Sequence, residues 1–249
     1  QTGEIIDIVE DRRLKNLITY FQRFSRETRL NVKVIVIDMY KPYISLIKSL
    51  FPNAKIVIDR FHIVQLISRA LNKTRIRIMN NDHKNYTKFK NYWRLLLKNR
   101  NDLDIVNYRY YRCFRGMLCE EDVVNYLLDL NHELKSTYEL YQDILNSIKN
   151  NDIERFNSII DNIQIEYPNI SSYMKTSIKT IKENYEYIIN SLKYKYTNGV
   201  LEGINNKIKV IKRVAFGYRS FYHFKVRILI VHKLSKLIKY KKPGLSNTA

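Results

Sequence analysis

The sequence predicts an α/β fold that a long helical segment interrupts. Two short apolar runs, VKVIVID at 32–38 and AKIVID at 54–59, both end in aspartate and are separated by a short amphipathic stretch. Continuous β-branched runs are typical of strands that are covered on both faces, as in parallel sheets. The order strand, helix, strand with short loops favours an α/β sheet. From about residue 85 to 195, by contrast, we find only helical patterns.

The residues before the two strands predict one further strand and one helix. A turn at Thr2-Gly3 leads into a predicted strand over 4–9, whose partner strand would precede this chain. We therefore expect the chain to be a fragment of a longer protein. Residues 12–24 predict an amphipathic helix, with five apolar side chains on one face: Leu14, Leu17, Ile18, Phe21 and Phe24.

Helical patterns follow each strand and define the predicted organisation. Pro42 suits the first turn of a helix that continues to about residue 50, and residues 62–79 predict a longer helix. We expect residues 1–80 to form the first part of an α/β core and 81–195 to form a helical insertion. Residues 196–240 then provide a returning helix and a basic C-terminal helix, and 241–249 a disordered tail.

The stretch TNGVLEGINNKIKVIKR at 197–213 predicts the returning helix, which Thr197 or Asn198 can cap and which ends before Gly217. An apolar stripe occupies one face: Val200, Ile204, Ile208 and Ile211. On the opposite face, four polar side chains fall within roughly 60° of one another: Glu202, Asn206, Lys209 and Arg213. One acid thus lies in a row of amide and basic side chains.

The charge of the chain favours a polyanionic partner. Lys and Arg number 44 against 24 Asp and Glu, which gives a formal net charge of +20, and nucleic acid is the commonest partner of so basic a chain. The alternative is a basic composition shared by a whole proteome rich in Lys, Ile and Asn. No apolar run reaches the ~20 residues that a membrane span requires. Cys113 and Cys119 lack the spacing of a zinc site, so we expect a reduced, cytoplasmic setting.

Three acids are candidates for a metal site of the kind that cleaves phosphodiesters. Asp38 ends the first strand, although a strand-terminal aspartate can also form a turn or cap a helix. Glu202 can equally be a solvated or ion-paired helix residue. Asp59 either binds metal or fixes Arg60 or His62 and caps the next helix, and we favour this supporting role. His62 can orient a ligand, contact a phosphate or pack.

Three segments in this order resemble a known family: VIVIDMYKPY, then FPNAKIVIDRFHIVQ, then NGVLEGINNKIKVIKRVAFGYRSFYHF. The chain resembles the DDE transposases of bacterial insertion sequences, of the ISL3 type, from GEIIDIVEDRR to about residue 230. This resemblance implies a ribonuclease-H-like core, a mixed sheet with flanking helices, truncated at its N-terminal side and interrupted by the helical insertion.

The resemblance also implies site residues. Asp38 matches the second catalytic aspartate and Glu202 the catalytic glutamate, and both would bind Mg²⁺, with Mn²⁺ as a substitute. Asp59 and His62 match the D-x-x-H element, which supports the site or positions DNA. No segment matches the first catalytic aspartate, which we expect upstream of Gln1, and we do not assign that role to Asp7. We therefore expect this chain to be inactive alone.

The implied function is metal-dependent DNA cleavage and strand transfer at the ends of an insertion sequence. The partners would be double-stranded DNA, comprising the transposon ends and the target, and further copies of the protein that assemble on this DNA. The location would be the bacterial cytoplasm, at the nucleoid, and no membrane would be involved. Two rival functions stay open: a basic nucleic-acid-binding module without chemistry, and an inactive transposase remnant.

Basic side chains near the returning helix are expected to contact the DNA backbone: Lys209, Lys212, Arg213 and Arg219. The alternative for this group is a solvated helix face. Four tyrosines can stack on unpaired bases or pack inside the protein: Tyr194, Tyr196, Tyr218 and Tyr222.

Overall fold

The computed structural model describes residues 5, 7–194, 196 and 199–240, except for the side chains of 233–240. The helices in chain order are α1 (Leu14–Gln22), α2 (Arg26–Leu30), α3 (Lys41–Leu50), α4 (Arg60–Asn81), α5 (Tyr86–Asn91), α6 (Trp93–Leu97), α7 (Glu120–Asp129), α8 (His132–Asn150), α9 (Ile153–Glu166), α10 (Ser172–Glu183), α11 (Tyr185–Lys193), α12 (Gly199–Val214) and α13 (Phe221–Tyr240). The strands are β1 (Val34–Ile37), β2 (Lys55–Ile58), β3 (Arg109–Tyr111) and β4 (Gly116–Leu118). The architecture is therefore mixed α/β and mostly helical.

The chain divides into two compact units. The sheet unit comprises residues 34–40 and 55–196, and the terminal unit comprises residues 1–33, 41–54 and 197–249. None of the helices in the described part of the chain is both long and apolar enough to cross a membrane.

The strands predicted from the runs at 32–38 and 54–59 are confirmed as a parallel pair. β1 and β2 run in register, with Val34 opposite Lys55 and Ile37 opposite Ile58, so both strands end at the same edge. Val57 and Ile58 are fully buried. The side chain of Asn190 on α11 donates a hydrogen bond to the carbonyl of Ile56 at 3.0 Å, which helps to hold that helix on β2. Buried β-branched side chains and a covering helix explain why this short run forms a strand.

Helix α4 lies at the centre of the sheet unit. Its fully buried side chains, Ile63, Ile67 and Leu71, belong to the same core cluster as residues of α8, α9 and α10. A polar contact crosses this core, because the Thr74 hydroxyl on α4 donates to Ser171 at 2.6 Å. The Ser171 amide in turn donates to the Thr137 hydroxyl at 3.0 Å. These three buried hydroxyl groups thus have partners, which offsets the cost of burying them.

A β-hairpin corrects the prediction that residues 85–195 are entirely helical. β3 and β4 pair antiparallel, with Tyr111 opposite Gly116. Tyr111 is buried, and its ring packs on the ring of Tyr92 with 5.2 Å between centroids. The ring of Phe114 also contacts Tyr92. Strands of three residues are too short for the alternation that predicts a strand. Aromatic packing on the helices, rather than local pattern, therefore decides the conformation here.

The terminal unit contains the predicted N-terminal helix as α1, followed by the short α2. Phe21 on α1 contacts Phe51 with 5.1 Å between ring centroids. The predicted strand over 4–9 is wrong for its described residues, since 5 and 7–9 form no strand, whereas 4 and 6 lie outside the described residues. Asp7 instead pairs with Lys225 at 2.5 Å, and this hydrogen bond lowers the pKa of the Asp7 carboxyl.

The predicted helices at the C-terminal side are confirmed as α12 and α13. Gly217, with φ of 105°, lies just beyond the end of α12, where its amide donates to the Lys212 carbonyl at 3.0 Å. This is the left-handed closure that favours glycine after a helix. The predicted caps Thr197 and Asn198 and the tail 241–249 lie outside the described residues.

Candidate functional site

Asp38 and Asp59 follow the two parallel strands at the same edge of the sheet. Their backbones are adjacent, because the Asp59 amide donates to the carbonyl of Ile37 at 2.9 Å. The two carboxylates nevertheless have different environments: Asp38 is exposed, whereas Asp59 is only 5% exposed. The carboxyl edge of a parallel sheet is the usual position of a site in such folds, and Asp38 is the acid that faces solvent there.

The Asp59 side chain caps helix α4. Its carboxylate accepts a hydrogen bond from the Phe61 amide at 3.3 Å, and its carbonyl accepts one from the His62 amide at 3.0 Å. Caps of this kind satisfy amides that the first turn leaves without a partner. The His62 ring is partly exposed beside Phe61, with 5.6 Å between ring centroids. Asp59 therefore has a structural task in α4 that Asp38 does not share.

Replacing Asp59 separates the capping role from metal binding. Asp59→Asn is expected to preserve stability and DNA cleavage, because asparagine caps a helix as well as aspartate does. Asp59→Ala removes the cap and is expected to lower the free energy of unfolding by about 1 kcal/mol. Urea denaturation and a DNA-cleavage assay measure the two effects. Loss of cleavage in stably folded Asp59→Asn would make Asp59 a metal ligand and contradict the supporting role.

The Asp38 carboxylate has no interaction partner among the described residues. No side chain or amide in the described part of the chain donates a hydrogen bond to it or forms an ion pair with it. Some partly exposed acids do have a partner, as Asp143 has in Arg155. Carboxylate oxygens are the ligands that Mg²⁺ prefers, so the chemistry of Asp38 fits a metal ligand.

Glu202 lies in the first turn of α12, where it is exposed. Its carboxylate also has no hydrogen bond or ion pair within the described ranges. Glu202 belongs to the terminal unit and Asp38 to the sheet unit, so a metal site shared by them stays a prediction. Among the residues that the structure describes, no group of three or more His, Cys, Asp or Glu side chains is arranged to hold a metal ion.

The predicted DNA-contacting residues lie on and just after α12, and all four are exposed: Lys209, Lys212, Arg213 and Arg219. In the part of the chain that is described, none of them has an acidic partner. The 3.6-residue periodicity places Lys209 and Arg213 on the same face of α12 as Glu202. One helix face thus presents a carboxylate and two cations to solvent.

The apolar side of α12 is only partly covered. No residue of this helix is buried, and Val200 is about half exposed. Among the predicted stacking tyrosines, Tyr218 packs on Phe224 with 4.8 Å between ring centroids, whereas Tyr222 is 69% exposed. Tyr194 and Tyr196 stack on each other with 6.3 Å between ring centroids. Tyr222 is therefore better placed than Tyr218 to meet a ligand.

The sequence reasoning missed a contact that supports the end of the sheet. The guanidinium of Arg60, which follows Asp59, donates from Nε at 2.9 Å and from Nη2 at 2.6 Å to the carbonyl of Ser191 on α11. Burial lowers the pKa of Arg60. A carbonyl oxygen has two lone pairs, so it can accept hydrogen bonds from both N–H groups of one guanidinium. Since Ser191 is 131 residues away in sequence, no local pattern could predict this pair.

Comparisons with known proteins identify the family. A family model described as a transposase, of the ISL3 type, matches residues 1–228. A transposase for insertion sequence element IS1001 of Bordetella parapertussis is 27% identical over 224 residues, which cover 84% of this chain and 50% of that protein. No solved structure matches the chain.

A second relative carries a different name. A protein of Lactococcus lactis subsp. lactis named ATP-dependent protease is 43% identical over 115 residues, which cover 46% of this chain and 36% of that protein. The chain thus spans half or less of the length of these two relatives. Since the family model covers most of the chain and agrees with the first of them, the chain belongs to the ISL3 family of transposases.

Proposed function

We propose that this chain supplies catalytic residues of an insertion-sequence transposase that cuts and joins DNA with the help of Mg²⁺, or Mn²⁺ in its place. Asp38 and Glu202 are the proposed metal ligands, and double-stranded DNA is the proposed substrate. The observation that carries the proposal is that the Asp38 carboxylate is exposed at the carboxyl edge of the parallel sheet and has no partner among the described residues. The chain also belongs to a transposase family.

We further propose that β1 and β2 belong to a ribonuclease-H-like core. Support comes from their parallel pairing, from α3 between them in sequence and from the acid that follows β1. Residues 81–195 would then be an insertion into that core. Copies of the protein would assemble on DNA to act at the two ends of one element.

The proposed chemistry divides between metal and protein. Bound Mg²⁺ would activate a water or a DNA 3′-hydroxyl and stabilise the leaving oxygen of an in-line displacement. Asp38 and Glu202 would bind the metal through their oxygens. Asp59 would fix the start of α4 beside Asp38, and His62 would position DNA or a ligand from the first turn of that helix. The cations on α12 would hold the phosphates next to the Glu202 carboxylate.

The basic face of α12 makes a testable prediction about salt. Lys209→Ala combined with Arg213→Ala is expected to reduce the slope of log K against log salt for duplex DNA by about two, because two phosphate contacts are lost. Fluorescence anisotropy at a series of salt concentrations measures the slope. Lys15→Ala with Arg26→Ala removes two exposed cations from other helices of the same unit and should leave the slope unchanged. Equal slopes in all three proteins would mean that Lys209 and Arg213 lie on a solvated helix face and do not contact DNA.

ATP-dependent proteolysis, the name of the second relative, has less support in this chain. A phosphate loop of the pattern G-x-x-x-x-G-K-[ST] would cradle the nucleotide, and the 249 residues contain no such pattern. A non-catalytic DNA-binding protein would account for the charge of +20 but gives no role to the exposed Asp38 at the sheet edge.

Incubation of the full-length protein with DNA carrying the ends of its element tests the proposal. We expect strand cleavage at the element boundary in Mg²⁺ and joining of the free 3′ ends to target DNA, and no product when EDTA removes the metal. Salt-sensitive DNA binding without product in Mg²⁺ or Mn²⁺ would support the binding module instead.

A further inference from the structure

Phe216 is the most exposed large apolar side chain in the described part of the protein. It lies between α12 and α13 in the terminal unit, and its ring is fully open to solvent. Val214, two residues before it, is 73% exposed. Phenylalanine loses more by exposure to water than most residues because its apolar area is large. The fold obtains no burial energy from this ring.

The backbone of Phe216 is also unfavourable. Its φ of 51° lies in the left-handed region, which side chains with a Cβ adopt only at a cost in free energy. Gly217 follows with φ of 105°, so two left-handed residues in succession close the helix. The Phe216 amide donates to the Arg213 carbonyl at 3.1 Å, a bond that glycine or any other residue except proline would make equally well. Neither exposure nor conformation is therefore explained by folding.

The surroundings of Phe216 indicate what would cover it. Lys212 and Arg213 precede it in the last turn of α12, and Arg219 follows it within three residues. All three are exposed and lack an acidic partner among the described residues. An apolar ring among uncompensated cations is complementary to nucleic acid, whose phosphates take up the charge while an aromatic ring stacks on or between bases.

A protein partner suits this surface less well. If a second copy of the chain used the same loop in a two-fold contact, the cations of both copies would be brought together around the apolar pair. Like charges at a desolvated contact oppose association. A DNA duplex has the opposite charge and offers stacked bases to an inserted ring, and it is therefore the occupant that the residues favour.

We infer that Phe216 is a DNA wedge, a ring that inserts at a base step and unstacks it while Arg213 and Arg219 hold the flanking phosphates. The inference rests on the proposed function only in taking DNA as the partner, since the wedge requires no cleavage. Unstacking of duplex by an apolar side chain is physically feasible because the added contacts offset the lost stacking. The helix that carries Glu202 would thus also distort the DNA beside it.

Fluorescence of 2-aminopurine tests the wedge without catalysis. Full-length protein is mixed in EDTA with duplexes of the element end that carry the probe at successive positions. An unstacked probe becomes brighter, so we expect wild-type protein to raise the fluorescence at one or two adjacent positions. Phe216→Ala should abolish this rise and weaken binding by about 5-fold or more, with the salt slope unchanged. Phe216→Leu, which keeps an apolar side chain that can insert between bases, should retain the rise.

Two further variants distinguish the wedge from a structural role. Phe216→Gly is expected to abolish the fluorescence rise while it raises Tm by about 1–4 °C, because glycine adopts the left-handed conformation without strain. Ile165→Ala removes another highly exposed apolar side chain, on α9, and should change neither the fluorescence rise nor Tm. A residue needed for folding would instead lower Tm when replaced.

Four results would overturn the inference. They are an undiminished fluorescence rise in Phe216→Ala, bound DNA in which no probe brightens, no detectable DNA binding, and a lowered Tm in Phe216→Gly. If Phe216→Ala changed the oligomeric state but left the fluorescence rise unchanged, the ring would belong to a contact between copies of the protein. Failure of cleavage in Mg²⁺ with a normal fluorescence rise in EDTA would count against the proposed chemistry and leave the wedge intact.

Discussion

Asp38→Asn in the full-length protein is expected to reduce DNA cleavage by roughly a thousandfold or more, since a lost metal ligand removes several kcal/mol of transition-state stabilisation. Asparagine is nearly isosteric and Asp38 is exposed, so the fold and the affinity for DNA should be retained. Quantified cleavage of end-labelled DNA, together with anisotropy for binding, measures both effects.

Matched carboxylates provide the controls for this loss. Asp161→Asn changes another exposed aspartate, on α9, and should leave cleavage unchanged. Glu202→Gln should behave like Asp38→Asn, whereas Glu186→Gln should not, although Glu186 likewise lies exposed in the first turn of its helix. Full cleavage by both Asp38→Asn and Glu202→Gln would refute the assignment of these residues.

Leu71→Ala is expected to lower the free energy of unfolding of the sheet unit by about 2–5 kcal/mol, because it removes buried apolar atoms and leaves a cavity. Leu71 is fully buried in the middle of α4. Trp93, the single tryptophan, begins α6 in the same unit, so its fluorescence follows the unfolding of that unit in urea. The midpoint should fall while the slope of the transition is unchanged.

Leu201→Ala is the control for this effect. Leu201 lies on α12 and is half exposed, and its replacement should change the stability by at most about 0.5 kcal/mol. A similar small change for Leu71 would mean that α4 is not the packed centre of the sheet unit. Equal large losses for both would show that α12 is covered in solution by a surface that the described residues do not provide.

The parts of the fold that sequence could predict are those in which local pattern and burial agree. The runs that became β1 and β2 are continuously apolar and β-branched, and burial of Val57 and Ile58 in a parallel pair is the environment that such runs favour. The helical periodicity of 12–24 likewise predicted α1, since an amphipathic face is a local property. In the structure, α1 begins two residues later and ends two residues earlier than predicted.

The parts that sequence could not predict depend on distant contacts. The β3–β4 hairpin exists because Tyr111 packs on Tyr92, and three-residue strands give no periodicity. The pairing of Arg60 with Ser191 joins segments that are 131 residues apart. Asp7 was predicted in a strand, but it pairs with Lys225 from the other end of the chain. In each case tertiary packing overrides a weak local preference.

The candidate site shows the same division. Sequence alone placed Asp38 and Asp59 at equivalent strand ends, and it favoured a supporting role for Asp59 because a helix follows directly. The structure adds the physical difference: Asp59 is buried and caps α4, whereas Asp38 is exposed without a partner in the described residues. Phe216 escaped sequence reasoning because exposure and a left-handed backbone are properties of the folded chain.

Iron-directed cleavage of the protein itself tests the central proposal, that Asp38 and Glu202 hold the same metal. Ferrous ion bound in place of Mg²⁺ reduces added hydrogen peroxide to hydroxide and a hydroxyl radical, and ascorbate returns the ferric ion to the ferrous state. The radicals cut the polypeptide beside the ligands of the metal, and mass spectrometry of the fragments locates the cuts. Our proposal predicts cuts near both residue 38 and residue 202 in the full-length protein, suppressed by excess Mg²⁺ and absent at both positions in Asp38→Asn. Cuts near only one of them, or cuts near residue 202 that persist in Asp38→Asn, would contradict a shared metal site.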